Sequence, residues 1–205
     1  DRVITYIFKM KKITLIVQFV FIITFLLIES TVWAQSKIET KPEITILGTS
    51  NIHDWKATSN TGNVRWLVTF NAGHISQIND IQVAIPVASI ESDKGNKMDR
   101  KMHEALKKDK FPTIKFSLDR IEKIEPKNGK GEIYTFGFLE IAGKKQLVEL
   151  LLNAEKVDVE TIQIKLTKKI KMTDYNIELP TALFGLINTD DEVTIHIQFI
   201  IKMSE

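Results

Sequence analysis

Alternation of apolar and polar residues with a period of two runs through most of the chain beyond residue 42. Val64, Trp66, Val68 and Phe70 alternate with Arg65, Leu67 and Thr69, and Ile81, Val83, Ile85 and Val87 with Gln82, Ala84 and Pro86. Ile114, Phe116 and Leu118 repeat the pattern against Lys115, Ser117 and Asp119, as do Ile162, Ile164 and Leu166 against Thr161, Gln163 and Lys165. Val193, Ile195, Ile197 and Phe199 close the series. Successive side chains of a strand point to opposite faces, so each segment reads as a strand with one buried face. Residues 132–141 (EIYTFGFLEI) and 146–152 (QLVELLL) are apolar on both faces, which predicts cover on both sides.

Turn chemistry separates these segments. Ala142-Gly143-Lys144-Lys145 reads as a hairpin turn, and so does the polar stretch 126–131. Residues 35–42 read as a polar lead-in. One helix is predicted, over 96–108, with Met98, Met102, Ala105 and Leu106 at helical spacing, Pro112 beyond its end and its charges on a solvated face. About eight short strands, one mid-chain helix and no repeat predict an all-β fold, an antiparallel barrel or a sandwich. An eight-stranded barrel is just wide enough to hold one small ligand.

The N-terminus carries different information. Met10 is the expected start, with residues 1–9 an upstream extension; Lys11-Lys12, an apolar run over 13–28 and Val32-Trp33-Ala34 follow. A charged segment, an apolar segment and a small residue at the cut describe a secretory signal peptide, with cleavage expected after Ala34. The competing reading is a retained membrane anchor, since the run is long for a signal peptide, but it stops at Glu29, short of a full span; once the segment is cleaved, no stable membrane insertion is expected. The expected organisation is therefore residues 1–34 as extension plus signal peptide and 35–205 as a single exported, periplasmic domain.

Removing 1–34 takes Arg2, Lys9, Lys11 and Lys12 from 28 basic residues and Asp1 and Glu29 from 26 acidic ones, which leaves no net charge. A neutral chain without a basic block argues against nucleic acid, whose binding rests on clustered Lys and Arg. There is no cysteine, so neither a disulfide framework nor attachment through a lipidated N-terminal cysteine is available. The domain must stand on its own core, and a chain of this size buries roughly 70% of its unfolded surface.

Four blocks carry a family resemblance: GTSNIHDW at 48–55; the strand, Asp-Arg-x-x-His helix and Phe-Pro of 81–116; FGFLEIAGKKQLVEL at 136–150; and KMTDYNIELP with GLINTDDEVTIHIQF over 171–199. In this order and spacing they resemble the YceI-like family. The resemblance implies an extended eight-stranded, lipocalin-like barrel flanked by one helix, exported to the periplasm. It also implies a non-catalytic carrier whose long apolar pore holds a polyisoprenoid or other lipid tail. Here the histidine of the first block is followed by Asp54-Trp55, where many relatives have serine.

Trp55, Trp66, Phe116, Phe136, Phe138, Leu150 and Phe184 are the candidate apolar wall, although the same residue types make an ordinary packed core. His53, Asp54 and Asp174 are candidates for a polar mouth that orients a head group. Asp174, before Tyr175, is equally a turn carboxylate that accepts from backbone N–H groups. The rival function is a metal-assisted enzyme using His53, Asp54 and His103, the last sharing a helix face with Asp99. A zinc site needs three or four converging ligands, and the four histidines show no HxH or HxxxH spacing. There is no Gly-x-Ser-x-Gly elbow for nucleophilic catalysis. No metal and no cofactor are expected; the expected partner is a lipid or isoprenoid small molecule.

Overall fold

The computed structural model describes residues 35–71, 74–127, 130–182 and 186–202. The alternating segments are strands: β1 (Gln35–Thr40), β2 (Glu43–Ser50), β3 (Trp55–Ser59), β4 (Asn63–Asn71), β5 (His74–Pro86), β6 (Glu91–Ser92), β7 (Thr113–Lys127), β8 (Lys130–Ile141), β9 (Lys144–Lys156), β10 (Thr161–Lys171), β11 (Thr181–Ala182) and β12 (Ile187–Lys202). One α-helix, α1 (Asn96–Ala105), lies between β6 and β7, and short 3-10 turns occupy Val87–Ser89 and Met172–Tyr175. The expected signal peptide lies outside the described residues. Among those residues no helix is long and apolar enough to cross a membrane.

All the strands join one curled antiparallel sheet in the order β1-β4-β5-β7-β8-β9-β10-β12-β2-β3-β6, with β11 pairing on β12. Twelve segments stand where about eight strands were expected, and the difference has a simple origin. β1 pairs with β4 and β2 with β12, so these consecutive segments are two halves of one stave. The break falls at Lys41 and Pro42; proline has no N–H to give a ladder. Counted so, eight long staves remain, and β3, β6 and β11 are short additions at one end. The polar lead-in expected over 35–42 is therefore a strand: Ile38 faces the core, 8% exposed and paired with Trp66, while Lys37 and Glu39 pair with each other in solvent.

The core divides along the barrel axis. Trp66, Ile133, Ile164 and Ile201, all buried, fill one end. Met172, Tyr175, Ile177 and Val193 fill the other, with Ala105 at the end of α1 and Leu106 just beyond it against them. The helix stops at Ala105 rather than Lys108 because Lys107 turns left-handed at φ 55°. Two side chains of its inner face hold it on the barrel: Asp99 Oδ1 accepts the Ser92 N–H at 2.6 Å, and His103 Nε2 lies 2.9 Å from the Ile90 carbonyl. The β8–β9 turn is the two residues Ala142 and Gly143, both at positive φ (50° and 81°), the hairpin geometry that matches strand twist.

Two neighbouring stave pairs separate along part of their length. β5 and β7 are paired only over 82–86 and 113–117, and β10 is paired with β9 only over 162–165. The β9–β10 split opens at the end where α1 sits, between residues 144–152 and 166–171. Over that stretch no ladder joins the two strands.

Candidate functional site

Inward-facing residues of the long staves enclose two apolar chambers in line. The first, about 120 Å³, lies at mid-barrel and is bordered by Trp66, Phe116, Leu139, Leu150, Leu166 and Phe199 among others. The second, about 90 Å³, lies under α1, with Met98 and Met102 above and Trp55 and Met172 beside it. Ile46, Ile90, Ile114, Ile141 and Ile195 border both, so a ring of isoleucines is all that divides them. The lining is apolar throughout, except for Thr135, Lys115 and Lys168 in the first chamber and Ser92 and Thr189 in the second.

Strand parity decides which candidate wall residues reach this space. Trp66, Phe116 and Leu150 line the first chamber and Trp55 the second. Phe136 and Phe138 do not line either. On β8 the inward row is Ile133, Thr135, Gly137, Leu139 and Ile141, and the aromatics fall on the even, outer row. There Arg120 lies 4.0 Å from the ring centre of Phe136 and Lys145 4.4 Å from that of Phe138, so cations cover these half-buried rings. Phe138 borders a polar groove outside the barrel instead, with Arg65, Gln82 and Lys145. Phe184 lies outside the described residues.

The expected polar mouth is not assembled at the chambers. Residues 48–55 run from the end of β2 through the connection at 51–54 to the start of β3, and their polar groups mostly bond locally. Ser50 Oγ accepts the His53 N–H and donates to the His53 carbonyl, and His53 Nδ1 lies 3.0 Å from the Asp54 carbonyl. Asn51 reaches across to the start of β12, donating to the Leu186 carbonyl and accepting the Asn188 N–H. The segment is thus a latch between the β2–β3 ribbon and β12. His53, Asp54 and Asp174 are exposed and border neither chamber. The Asp174 carbonyl accepts from Gln146 Nε2, but the carboxylate that caps this turn belongs to Asp191, which accepts both the N–H and the hydroxyl of Thr173. Those two donors hold the Asp191 carboxyl below its ordinary range. Among the described residues no three of His, Asp and Glu come together as a metal-ligand set, and His103 is committed to the Ile90 carbonyl.

Three residues matter that pattern reading passed over. Thr135, fully buried on the inner row, donates to the Leu150 carbonyl at 3.2 Å. Asp191 fixes the turn that leads from β10. Lys168 continues the inner row of β10 after Ile164 and Leu166, and its stem borders the first chamber beside the β9–β10 split. A lysine so placed lays its methylenes on apolar surface and sends its ammonium to water.

The family model of the YceI-like domain matches residues 33–201. Several solved structures share the fold. Burkholderia cenocepacia BcnA is 18% identical, with a TM-score of 0.58, over 78% of this chain and 95% of that one. A polyisoprenoid binding domain from Saccharophagus degradans, implicated in plant cell wall breakdown, is 10% identical at a TM-score of 0.61, over 82% and 100% of the two chains. A mutant Campylobacter jejuni YceI protein is 19% identical at 0.54, over 73% and 85%. No curated relative matches the chain.

Proposed function

The chain belongs to the YceI-like domain family, and from that premise we propose that it binds and carries a hydrophobic, isoprenoid- or lipid-like molecule inside its barrel without catalysing a reaction. The observation that carries this reading is the pair of in-line apolar chambers, divided by five isoleucine side chains and bordered by almost no polar groups. Burial of apolar ligand surface supplies the affinity, at about 25 cal/mol per Å² removed from water. The binding of polyisoprenoid by the Saccharophagus degradans domain motivates the ligand class.

The chambers are small beside the roughly 300–1,000 Å³ of ordinary ligand pockets. A long tail therefore enters by parting side chains at the isoleucine ring and at the β9–β10 split, where no ladder has to break. The place of action is the periplasm, after removal of the N-terminal segment at Ala34; the support is the charged and apolar order of residues 10–34.

Native mass spectrometry of protein purified from its own host, followed by solvent extraction, tests the reading. A co-purifying lipid mass is the expected result. If no such mass appears and hydrophobic probes do not bind, the carrier function fails.

A further inference from the structure

We propose that the outward side of α1 and the segments flanking it, residues 94–110, dock the protein on an anionic lipid surface, so that the α1 end of the barrel meets the bilayer with which cargo is exchanged. The inference rests on the carrier reading for its purpose and adds the surface that the carrier works against.

Charge is spread unevenly over the chain. Residues 35–205 carry no net charge, yet residues 94–110 hold seven basic side chains against three acidic ones. On the strands, cations such as Lys37, Arg65, Lys123 and Lys169 are held against carboxylates. Among the described residues, only Lys94 of the seven has such a partner, Asp93 at 3.6 Å. Lys101 and Lys107 donate to the carbonyls of Thr181 and Asn176, which leaves their charge uncancelled. Of the three acids, Asp99 is turned inward to the Ser92 N–H, so the acids on the outside are Glu104 and Asp109.

Helical spacing sets these charges away from the barrel. Met98, Met102 and Ala105 line the second chamber, and Lys97, Arg100 and Glu104, at intervals of three and four, run along the opposite side. Lys97 and Arg100 are exposed, and Arg100, Lys107, Lys108 and Lys110 border one open groove. No residue of α1 is fully buried. An amphipathic helix with a basic polar side is the element that settles among lipid head groups. A local surplus of four positive charges gives attraction that is reversible and sensitive to salt, as a carrier that must leave the bilayer again requires.

An acidic protein would feel the same charges. What favours a bilayer is the structure behind them. The inner side of this helix lines the apolar second chamber, and the β9–β10 split opens at the same end of the barrel. Docking through α1 therefore sets against the lipid the end of the molecule that is built around apolar space.

The test sediments wild type and Lys97→Gln/Arg100→Gln/Lys108→Gln, each purified from the host, with two kinds of vesicle: phosphatidylcholine alone, and phosphatidylcholine in which about a third of the lipid is phosphatidylglycerol. Wild type should prefer the anionic vesicles, and the variant should lose about a hundredfold of that preference, about fivefold for each charge removed. Lys123→Gln/Lys165→Gln/Lys202→Gln removes the same charge from the strands and should change the preference little. The ratio between the two vesicles cancels any contribution of the apolar N-terminal segment. Raising the salt from about 0.05 M to about 0.5 M should abolish the wild-type preference, which keeps the test open if the variant folds poorly. Equal binding to both vesicles, equal losses from the two variants, or binding to soluble polyglutamate but not to anionic vesicles overturns the inference; the last result would make the patch a site for an acidic macromolecule. Uptake of a hydrophobic probe from solution, measured on the same samples, separates the two readings. If uptake persists while docking fails, the carrier function stands; if wild type docks and takes up no probe, the carrier function fails and docking remains.

Discussion

Gly48 lies flat beneath the indole of Trp55. The two are directly paired across β2 and β3, and any side chain on residue 48 would collide with the six-membered part of the ring. The ring is also tied back by its Nε1, which donates to the Thr49 carbonyl at 3.3 Å. Gly48→Val should therefore push Trp55 off the second chamber and cost about 1–3 kcal/mol, the usual penalty for an overpacked site. Urea unfolding gives the stability change. A red shift in tryptophan emission at unchanged secondary structure would report the displaced ring.

This pair shows why the GTSNIHDW segment stood out and what composition could not reveal about it. Its glycine and tryptophan are required by one close contact, and its histidine and aspartate are surface groups of the connection. The strands with clean alternation were legible because only one face of each could be buried: Trp66, Phe116 and Ile164 all point inward. Residues 132–141 were not, because an apolar run offers two parities. The inward row there proves to be the one with Thr135 and Gly137, since Phe116 occupies the space that a side chain at 137 would need. The outer aromatics are covered by Arg120 and Lys145, which come from other strands, so only the register reveals them. β1 was hidden for a related reason: a single inward apolar residue, Ile38, gives no periodicity to read.

The β9–β10 split makes a prediction about backbone protection. Amides of 147–152 and 166–171 that point into the split have no ladder partner across it, unlike those of β10 at 162–165 or those bonded to β8 and β12. Hydrogen exchange should be markedly faster at the split-facing amides than at their bonded neighbours one residue away, because exchange tracks local opening. Occupation of the barrel by a hydrophobic probe should slow them. Uniform protection along β9 and β10 would mean that the staves are zipped and that entry lies elsewhere.

Tyr175 gives the protein an alkaline limit. Its side chain is 2% exposed, and burial, reinforced by the nearby Asp174 carboxylate, pushes its phenol up to about 12 from an ordinary value of 10.0. Between these values the unfolded chain loses the phenolic proton and the folded protein keeps it, so stability is intact below pH 10 and falls as pH rises toward 12. The full effect is about 3 kcal/mol. Tyr175→Phe cannot ionise, and the wild-type curve should drop relative to it across this window. Parallel denaturant midpoints of the two proteins from pH 9 to 12 would show that the phenol is not protected.

Leu147 and Leu150 offer the sharpest test of what the barrel interior does, because they lie three residues apart on β9 and face opposite ways. Leu150 is half-buried and borders the first chamber; Leu147 is 51% exposed on the outer face. Enlarging Leu150 to Phe adds volume where a cavity of about 120 Å³ can accept it, so stability should change by less than about 1.5 kcal/mol. The added ring occupies the space a ligand would take, and affinity for a hydrophobic probe should fall about tenfold or more, since a single buried side chain's worth of apolar surface is denied to the ligand. Leu147→Phe adds the same ring to the outside and should leave probe binding unchanged. Equal losses from both variants would point to a general loosening of β9. A loss from Leu147→Phe alone would move the binding surface to the aromatic outer face of β8.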